Sequence, residues 1–293
     1  MSNYIITTSS PADLTNEFLN ERNIPYVSFT FELNNETYKD DLGKTISADA
    51  FYAAMRKGAS TKTSQVNAEA YVNFFTPFLE KGLDIIHIEL SSGLSGSINS
   101  ARIAKEILLE TFPNRKIALI DSLSASAGLG LLVDKASELQ NEGYAYLDLV
   151  NYLETNKLKL NHWFYSTDLS YYVKGGRISS TAGFVGSILS LCPVLNVDDN
   201  GKLIPKFKVI GKKRAINKVV EQMMDLAKDG INYNGKCFIS HADCIEDAKT
   251  VASKIEANFP LLNGKVEIFN VGSTIGSHTG PGTLALFFFG ENR

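Results

Sequence analysis

Ser91-Ser92-Gly93-Leu94-Ser95-Gly96-Ser97 lies between an apolar run at residues 83–90 and a helical pattern at residues 98–112. The first run reads as a buried strand, and the second carries Ile98, Ile103, Ile107 and Leu108. A glycine- and hydroxyl-rich turn between strand and helix is where an open α/β sheet places its ligand. Gly93 and Gly96 let the backbone come close to a bound group. Ser95 or Ser97 can cap the helix, whose free N–H groups and positive dipole end favour an anion. An ordinary capped helix has the same local signature, so the turn is weighed with the rest of the chain.

Working outward, a short strand at 4–6 ends in Thr7-Thr8-Ser9-Ser10 and leads to a helix over 13–23. Residues 26–33 alternate as a strand, and Ser47 caps a helix whose face is Ala50, Phe51, Ala54 and Met55. Residues 57–65 read as a polar loop and 67–81 as a helix, followed past the serine turn by a strand at 116–120 ending in Asp121-Ser122. Helices over 126–141 and 146–157 complete this half. The strand–helix alternation predicts a doubly wound, mostly parallel sheet. Three of its strand ends carry hydroxyl groups, which suits holding a carboxylate rather than transforming it.

Beyond Leu160 the texture changes. Strands are expected at 162–167, 193–198, 203–210, 236–241, 265–271 and 283–289, with helices at 168–174, 180–191, 215–228 and 244–259. Asp198-Asp199-Asn200-Gly201 is a hairpin signal. The expected organisation is two α/β domains, a parallel-sheet domain over 1–158 and a domain with a mixed sheet over 159–293.

At 293 residues with 44% hydrophobic and 21% charged residues, the balance is that of a globular protein. A net charge of −3 argues against a general nucleic-acid binder. Cys192, Cys237 and Cys244 are odd in number and form no CxxC pair, which fits a reducing compartment without disulfides. The N-terminus lacks the basic n-region of a signal peptide, and no stretch approaches the ~18 apolar residues of a membrane helix. A cytoplasmic protein without stable membrane insertion is expected.

Other segments sharpen the reading. Thr61-Lys62-Thr63-Ser64-Gln65 lies upstream of the serine turn, and Gly276-Ser277-His278-Thr279-Gly280-Pro281-Gly282 near the C-terminus. Between them stand Asp121-Ser122, Gly175-Gly176-Arg177-Ile178-Ser179 and Lys212-Lys213-Arg214-Ala215. This ordered set resembles the DegV family, bacterial fatty-acid-binding proteins that serve fatty acid kinases. The resemblance implies a two-domain DegV-like fold and a lipid carrier rather than an enzyme. It implies that Thr63 and Ser95 hold the carboxylate of a long-chain fatty acid, with Ser64, Gly96 and His278 beside them. It places Arg177 and Arg214 at the headgroup and the kinase-docking face. The carrier would hold its ligand between the two domains and present the carboxylate to a separate ATP-dependent fatty acid kinase for acyl-phosphate formation, in phospholipid metabolism. No cofactor or metal is implied. One departure is visible: the family usually has Asp-Ser after the first strand, where this chain has Thr8-Ser9.

The residues alone also leave a serine hydrolase of acyl esters open. Residues 93–97 nearly fit a G-x-S-x-G elbow, and Ser95, Asp121 and His278 follow in hydrolase order. Ser97, however, replaces the last glycine. The segment 230–236 mimics a phosphate loop but lacks the terminal Ser/Thr and precedes a strand. Cys237, His241 and Cys244 offer three metal ligands without an evident fourth. His87 and His162, in apolar strands, read as satisfied core residues. Trp163, Phe164, Phe184, Ile188, Leu189, Leu191 and Leu195 are candidates for ordinary core or for a lipid tunnel. Lys202, Lys206, Lys208, Lys212, Lys213, Arg214 and Lys218 form a basic run, read as a solvated face or as a patch for an acidic protein.

Overall fold

The computed structural model describes residues 3–178 and 191–293. The chain begins with β1 (Tyr4–Ser9), a 3-10 turn (Ser10–Ala12), α1 (Asn16–Glu21), β2 (Tyr26–Val27), β3 (Thr30–Leu33) and β4 (Glu36–Lys39). It continues through α2 (Ala48–Arg56), β5 (Thr61–Ser64), α3 (Ala68–Glu80), β6 (Asp84–Glu89), α4 (Ser97–Thr111), β7 (Ile117–Asp121), α5 (Ala127–Asn141) and α6 (Tyr146–Asn156). Then follow β8 (Leu160–Tyr165), α7 (Ser170–Lys174), β9 (Val194–Val197), β10 (Leu203–Phe207), α8 (Lys212–Leu226), β11 (Phe238–His241), α9 (Ile245–Asn258), β12 (Glu267–Asn270), α10 (Ser273–Thr279) and β13 (Leu284–Phe289).

Strands β2-β1-β6-β7 form a parallel sheet, so the ends of β1, β6 and β7 share one edge as the alternation predicts. The order β10-β9-β8-β13-β11-β12 forms a mixed sheet, parallel only between β11 and β12. The fold is therefore α/β with a parallel sheet and a second, mixed sheet. A small antiparallel sheet, β4-β3-β5, was not expected.

The helix starts follow from short polar caps. Thr15, Ser47 and Asn67 accept hydrogen bonds from the amides of Phe18, Ala50 and Ala70 at 3.1, 3.2 and 2.8 Å. Helix α5 is different in kind: eleven of its fifteen residues are buried. A helix buried all round belongs inside the molecule. It packs against β1 and β6 on one side and β8, β11 and β13 on the other. Gly128 and Gly130 make this possible. A Cβ at Gly128 would stand 2.6 Å from the His162 ring, and one at Gly130 2.8 Å from the Ala12 carbonyl oxygen.

The period-2 rule sorts the mixed sheet. Phe164, Leu195, Ala285 and Phe287 share the core of the parallel sheet with Ile6, Ile86 and Ile88. Their neighbours Trp163, Tyr165, Val194, Leu284, Leu286 and Phe288 face away, into a second core. That core includes Val219 and Met223 of α8 and Val251 and Ile255 of α9.

Several expectations need correction. Residues 26–33 are not one strand but β2 and β3, which serve different sheets. Within 57–65, expected as loop, lies β5. Strand β4 was invisible because its exposure leaves no apolar alternation to read. Asn34 and Asn35, both at positive φ, turn β3 into β4. Helix α1 starts three residues late because Asp13 adopts φ 52° and Thr15 takes the cap. Helix α10, rich in Ser, Thr and Gly, gave no apolar period. The helix expected at 180–191 lies outside the described residues apart from Leu191.

Asp134 of α5, 1% exposed, accepts from Arg22 Nε at 2.7 Å and Lys236 Nζ at 2.6 Å. It thus ties the end of α1 to the segment that leads into β11. Removing one partner of a buried ion pair strands the other. Asp134→Ala is expected to cost roughly 3 kcal/mol in urea unfolding at unchanged m. A loss below about 1 kcal/mol would place the trio among ordinary surface pairs.

Candidate functional site

A cavity of about 550 Å³ opens between the strand ends of the parallel sheet and the inner face of the mixed sheet. That size is ordinary for a small-molecule site. Its wall is largely apolar: Leu90, Leu94, Phe164, Val197, Leu203, Ile275, Ala285 and Phe287. Thr63, Gln65, Ser95, Gly96, Arg177 and His278 also line it.

These six are brought together at one cavity, several of them through direct contacts. Strand β5 sets Thr63 opposite Phe31 of β3, and Thr63 Oγ1 lies 2.7 Å from His278 Nε2. The imidazole rests on a glycine, since a Cβ at Gly175 would stand 2.3 Å from Nδ1. Gly280, at φ +70°, ends α10 and receives the Tyr171 ring, 2.2 Å from where its Cβ would be. The two glycine motifs are therefore interlocked. Arg177 crosses to the serine turn and donates from Nε and Nη2 to the Leu94 carbonyl at 3.2 and 3.1 Å, and from Nη1 to that of Gly175. Gly96 lets the turn lie against the Gln65 amide, as its Cβ would fall 2.6 Å from Gln65 Oε1.

Burial, then the nearby Arg177 guanidinium, push the His278 pKa down to about 4. The imidazole is thus neutral near pH 7. Burial also lowers the pKa of Arg177, but a guanidinium stays charged at neutral pH. The cluster therefore offers neutral hydroxyl and imidazole groups and one cation. Helix α4 opens beside it with no acid in its first turn, and Ser97 N donates to Ser95 Oγ at 3.2 Å. An anion is the natural guest of such a corner.

Beneath the turn runs a buried network that the sequence reading missed. Ser97 Oγ lies 2.7 Å from the Tyr71 hydroxyl, which donates to Glu89. Glu89 also accepts from Ser9 Oγ at 2.6 Å and sits 2.9 Å from His87 Nε2, while His87 Nδ1 meets Thr7 Oγ1 at 2.9 Å. The available signal was His87 and Glu89 two apart on one face of an apolar strand. His87 is thus a satisfied core residue, as expected.

Among the expected site residues, Thr63, Ser95, Gly96, His278 and Arg177 meet at one cavity. Ser64 does not: it is exposed on the next pleat, opposite Thr30. Arg214 is exposed on the first turn of α8, away from the cavity lining. Lys212 pairs with Asp247 at 2.9 Å and Lys218 with Glu221 at 2.8 Å, so the basic run is partly neutralised. The hydroxyl edge is largely spent internally. Thr8 donates to the Ile88 carbonyl at 2.9 Å and Ser91 to that of Gly201 at 2.8 Å. The hydrolase triad is not assembled: His278 Nε2 engages Thr63, and Asp121 Oδ1 accepts from the amides of Ser92 and Leu123 at 3.1 and 3.2 Å.

Of the tunnel candidates, Phe164 lines the cavity, whereas Trp163 faces the other core and stacks on Phe207 at 6.0 Å. Leu195 is core, and Leu191 bridges to Ile210. Phe184, Ile188 and Leu189 lie outside the described residues, as does Ser179. No group of three or more potential metal ligands gathers among the described residues. Cys237 contacts Met223, and Cys244 Sγ donates to the Thr283 carbonyl. Among the described residues no helix is long and apolar enough to cross a membrane.

The family model described as an uncharacterised protein of the DegV family matches residues 3–291. A DegV domain-containing protein of Clostridium perfringens is 37% identical over 294 residues, covering 100% of this chain and 99% of that protein. The crystal structure of DegV from Bacillus subtilis, described as a fatty acid binding protein, matches with a TM-score of 0.83 at 26% identity, over 99% and 100% of the two chains. The fatty acid kinase B3 protein of Streptococcus pneumoniae, loaded with linoleic acid, shares the fold with a TM-score of 0.85 at 22% identity, over 99% and 100% of the two chains. With model, relative and fold agreeing over essentially its whole length, the chain belongs to the DegV family.

Proposed function

We propose that this protein binds a long-chain fatty acid in the cavity and presents its carboxylate to a separate ATP-dependent kinase, which forms the acyl phosphate. The observation that carries this reading is an apolar cavity with one compact anion-suited cluster, Thr63, Ser95, His278 and Arg177. Fatty acid binding by the Bacillus subtilis relative supports it. The kinase step rests on the family resemblance and on the kinase B3 protein of like fold. The protein acts as a carrier without a cofactor, in the cytoplasm, with residues 1–158 and 159–293 as the domains that enclose the ligand.

The energetic division of labour is clear. Burial is worth ~0.8 kcal/mol per methylene, so roughly fourteen methylenes give about 11 kcal/mol gross. A hydrogen bond to a charged group gives ~1.5–3 kcal/mol. The tail supplies affinity, and Thr63 and Ser95 fix which atoms face outward.

Solvent extraction and mass spectrometry are expected to recover close to one fatty acid per chain, and re-adding it to delipidated protein to raise Tm. Ser95→Ala and Thr63→Ala should each weaken retention by ~1.5–3 kcal/mol without unfolding the protein. Delipidated protein that gains no thermal stability from any long-chain acid would end the carrier reading.

His278 provides a direct probe of the headgroup. An anion beside an imidazole favours the protonated form. The His278 pKa, about 4 without ligand, is therefore expected to rise when the acid is bound. An NMR titration of its ring protons, free and loaded, reads this directly. An unchanged value would mean that the carboxylate sits elsewhere.

Arg214 is exposed and off the cavity lining, so its proposed role is toward the partner. Arg214→Glu is expected to leave lipid content and Tm nearly unchanged. Acyl-phosphate formation with a kinase from the same source should slow at least about tenfold. Wild-type rates at subsaturating carrier and low salt would refute the docking role.

A further inference from the structure

The hydrogen bonds of the buried network beneath the serine turn run in one direction. Tyr71, Glu89 and Ser97 are each 0% exposed. Glu89 accepts on both oxygens: Oε1 from Ser9 Oγ at 2.6 Å and from the Leu90 amide at 2.7 Å, and Oε2 from the Tyr71 hydroxyl. Burial first, and the Glu89 charge next, hold the Tyr71 pKa well above the ordinary phenol range. Tyr71 therefore keeps its one proton and gives it to Glu89. That settles the 2.7 Å contact between Tyr71 and Ser97: Ser97 Oγ donates and the phenol oxygen accepts. Ser97 in turn gives its backbone N–H to Ser95 Oγ at 3.2 Å, which fills an acceptor position of that hydroxyl. Among the described residues no hydrogen bond takes the Ser95 proton, and Ser95 lines the cavity.

We propose that Tyr71 is a positioning residue for the headgroup: anchored on Glu89, it holds Ser97 and with it the first turn of α4, so that Ser95 meets the ligand carboxylate as a hydrogen-bond donor. This rests on the fatty-acid reading above and deepens it. The start of α4 has no side-chain cap of its own, because its N-cap is Gly96. A larger residue there would run into Gln65. Uncapped helix ends fray, and the tie from Tyr71 in α3 holds this one from below. A carboxylate offers only acceptors, so a hydroxyl whose acceptor side is already engaged is matched to it. Fixing Ser95 before the ligand arrives also lowers the ordering cost of binding. The core itself does not require the network, since apolar side chains of similar volume fill such space at equal or better stability. Its place directly under the turn that carries Ser95 gives it a use in the site.

The test displaces a fluorescent apolar probe from delipidated full-length protein with palmitate or with hexadecanol, which has the same chain without the charge. Tyr71→Phe keeps the ring and removes the hydroxyl, and Ser97→Ala cuts the tie while leaving Tyr71 on Glu89. Each is expected to weaken palmitate at least about fivefold and hexadecanol less than about twofold. In a Ser95→Ala background neither change should weaken palmitate further, because the effect acts through Ser95. If Tyr71→Phe does not fold, Ser97→Ala decides alone. Equal weakening of acid and alcohol would make the network merely structural and overturn the inference. Unchanged palmitate binding in a folded variant, or a full further loss in the Ser95→Ala background, would overturn it equally. In all three cases the fatty-acid reading stands. Failure of the wild type to bind palmitate would overturn both readings together.

Discussion

The interior depends on one backbone-to-backbone closure, where the serine turn meets the β9–β10 hairpin. A Cβ on Gly93 would lie 2.5 Å from the Asn200 carbonyl oxygen, and Gly201, at φ +70°, lies against Ser91. Arg293 fastens the same corner, donating to the carbonyls of Leu123, Asp198 and Leu160 at 3.0, 2.9 and 3.0 Å. Elsewhere the inner faces of the two sheets must stand apart, because α5 lies between them and a helix is ~10–12 Å thick. Ala125 and Ser126, just before its first residue, line the cavity. The hollow begins where the helix stops: the spacing set by α5 persists beyond its end without a filler of equal thickness. An apolar chain is a good filler for such a space, since the wall gains contacts that a void forgoes.

The same closure sets the electrostatics of the polar cluster. Arg177 could swing freely as a surface side chain, but its fork is spent on the Leu94 and Gly175 carbonyls. Its charge is thus fixed beside the amide end of α4 without a carboxylate to cancel it in that helix's first turn. Burial first, and this fixed positive charge next, depress the His278 pKa, so the histidine adds hydrogen-bonding capacity without a second cation. One charge and several neutral donors hold an anion in a defined orientation; two cations would hold it more tightly and with less regard to direction.

Much of the frame was legible because parallel strands buried on both faces announce themselves as apolar runs. Strand β6 and the alternating cap-and-helix pattern around it are of that kind. Strands β4 and β5 were not legible, being polar and half-exposed, yet β5 carries Thr63. The site residues were found through motif resemblance and not through periodicity. Even so the resemblance mapped Ser64 onto the cluster, where strand alternation turns it outward. His87 and His162 show the same limit more sharply. Each is a histidine in an apolar strand, and a strand pattern reveals which face a residue takes, not what meets it there. His87 meets Glu89 and Thr7, whereas His162 meets Phe287, Gly128 and the cavity.

The two parts of the site obey different steric rules. The apolar wall is made of side chains such as Val197, Leu203 and Phe287, whose volume matters more than their identity. Volume-conserving exchanges there are tolerated at small cost and would retune which chain fits. The polar cluster is made of glycine contacts. Side chains at Gly96, Gly175 and Gly280 would run into Gln65, His278 and Tyr171. Gly280, at φ +70°, also holds a backbone conformation that L side chains seldom adopt. A methyl group at Gly175 would push the His278 ring from its place, because the atom it meets is the imidazole Nδ1. Chain preference can therefore vary by small steps along the wall, while the headgroup geometry is held by positions that admit no intermediate.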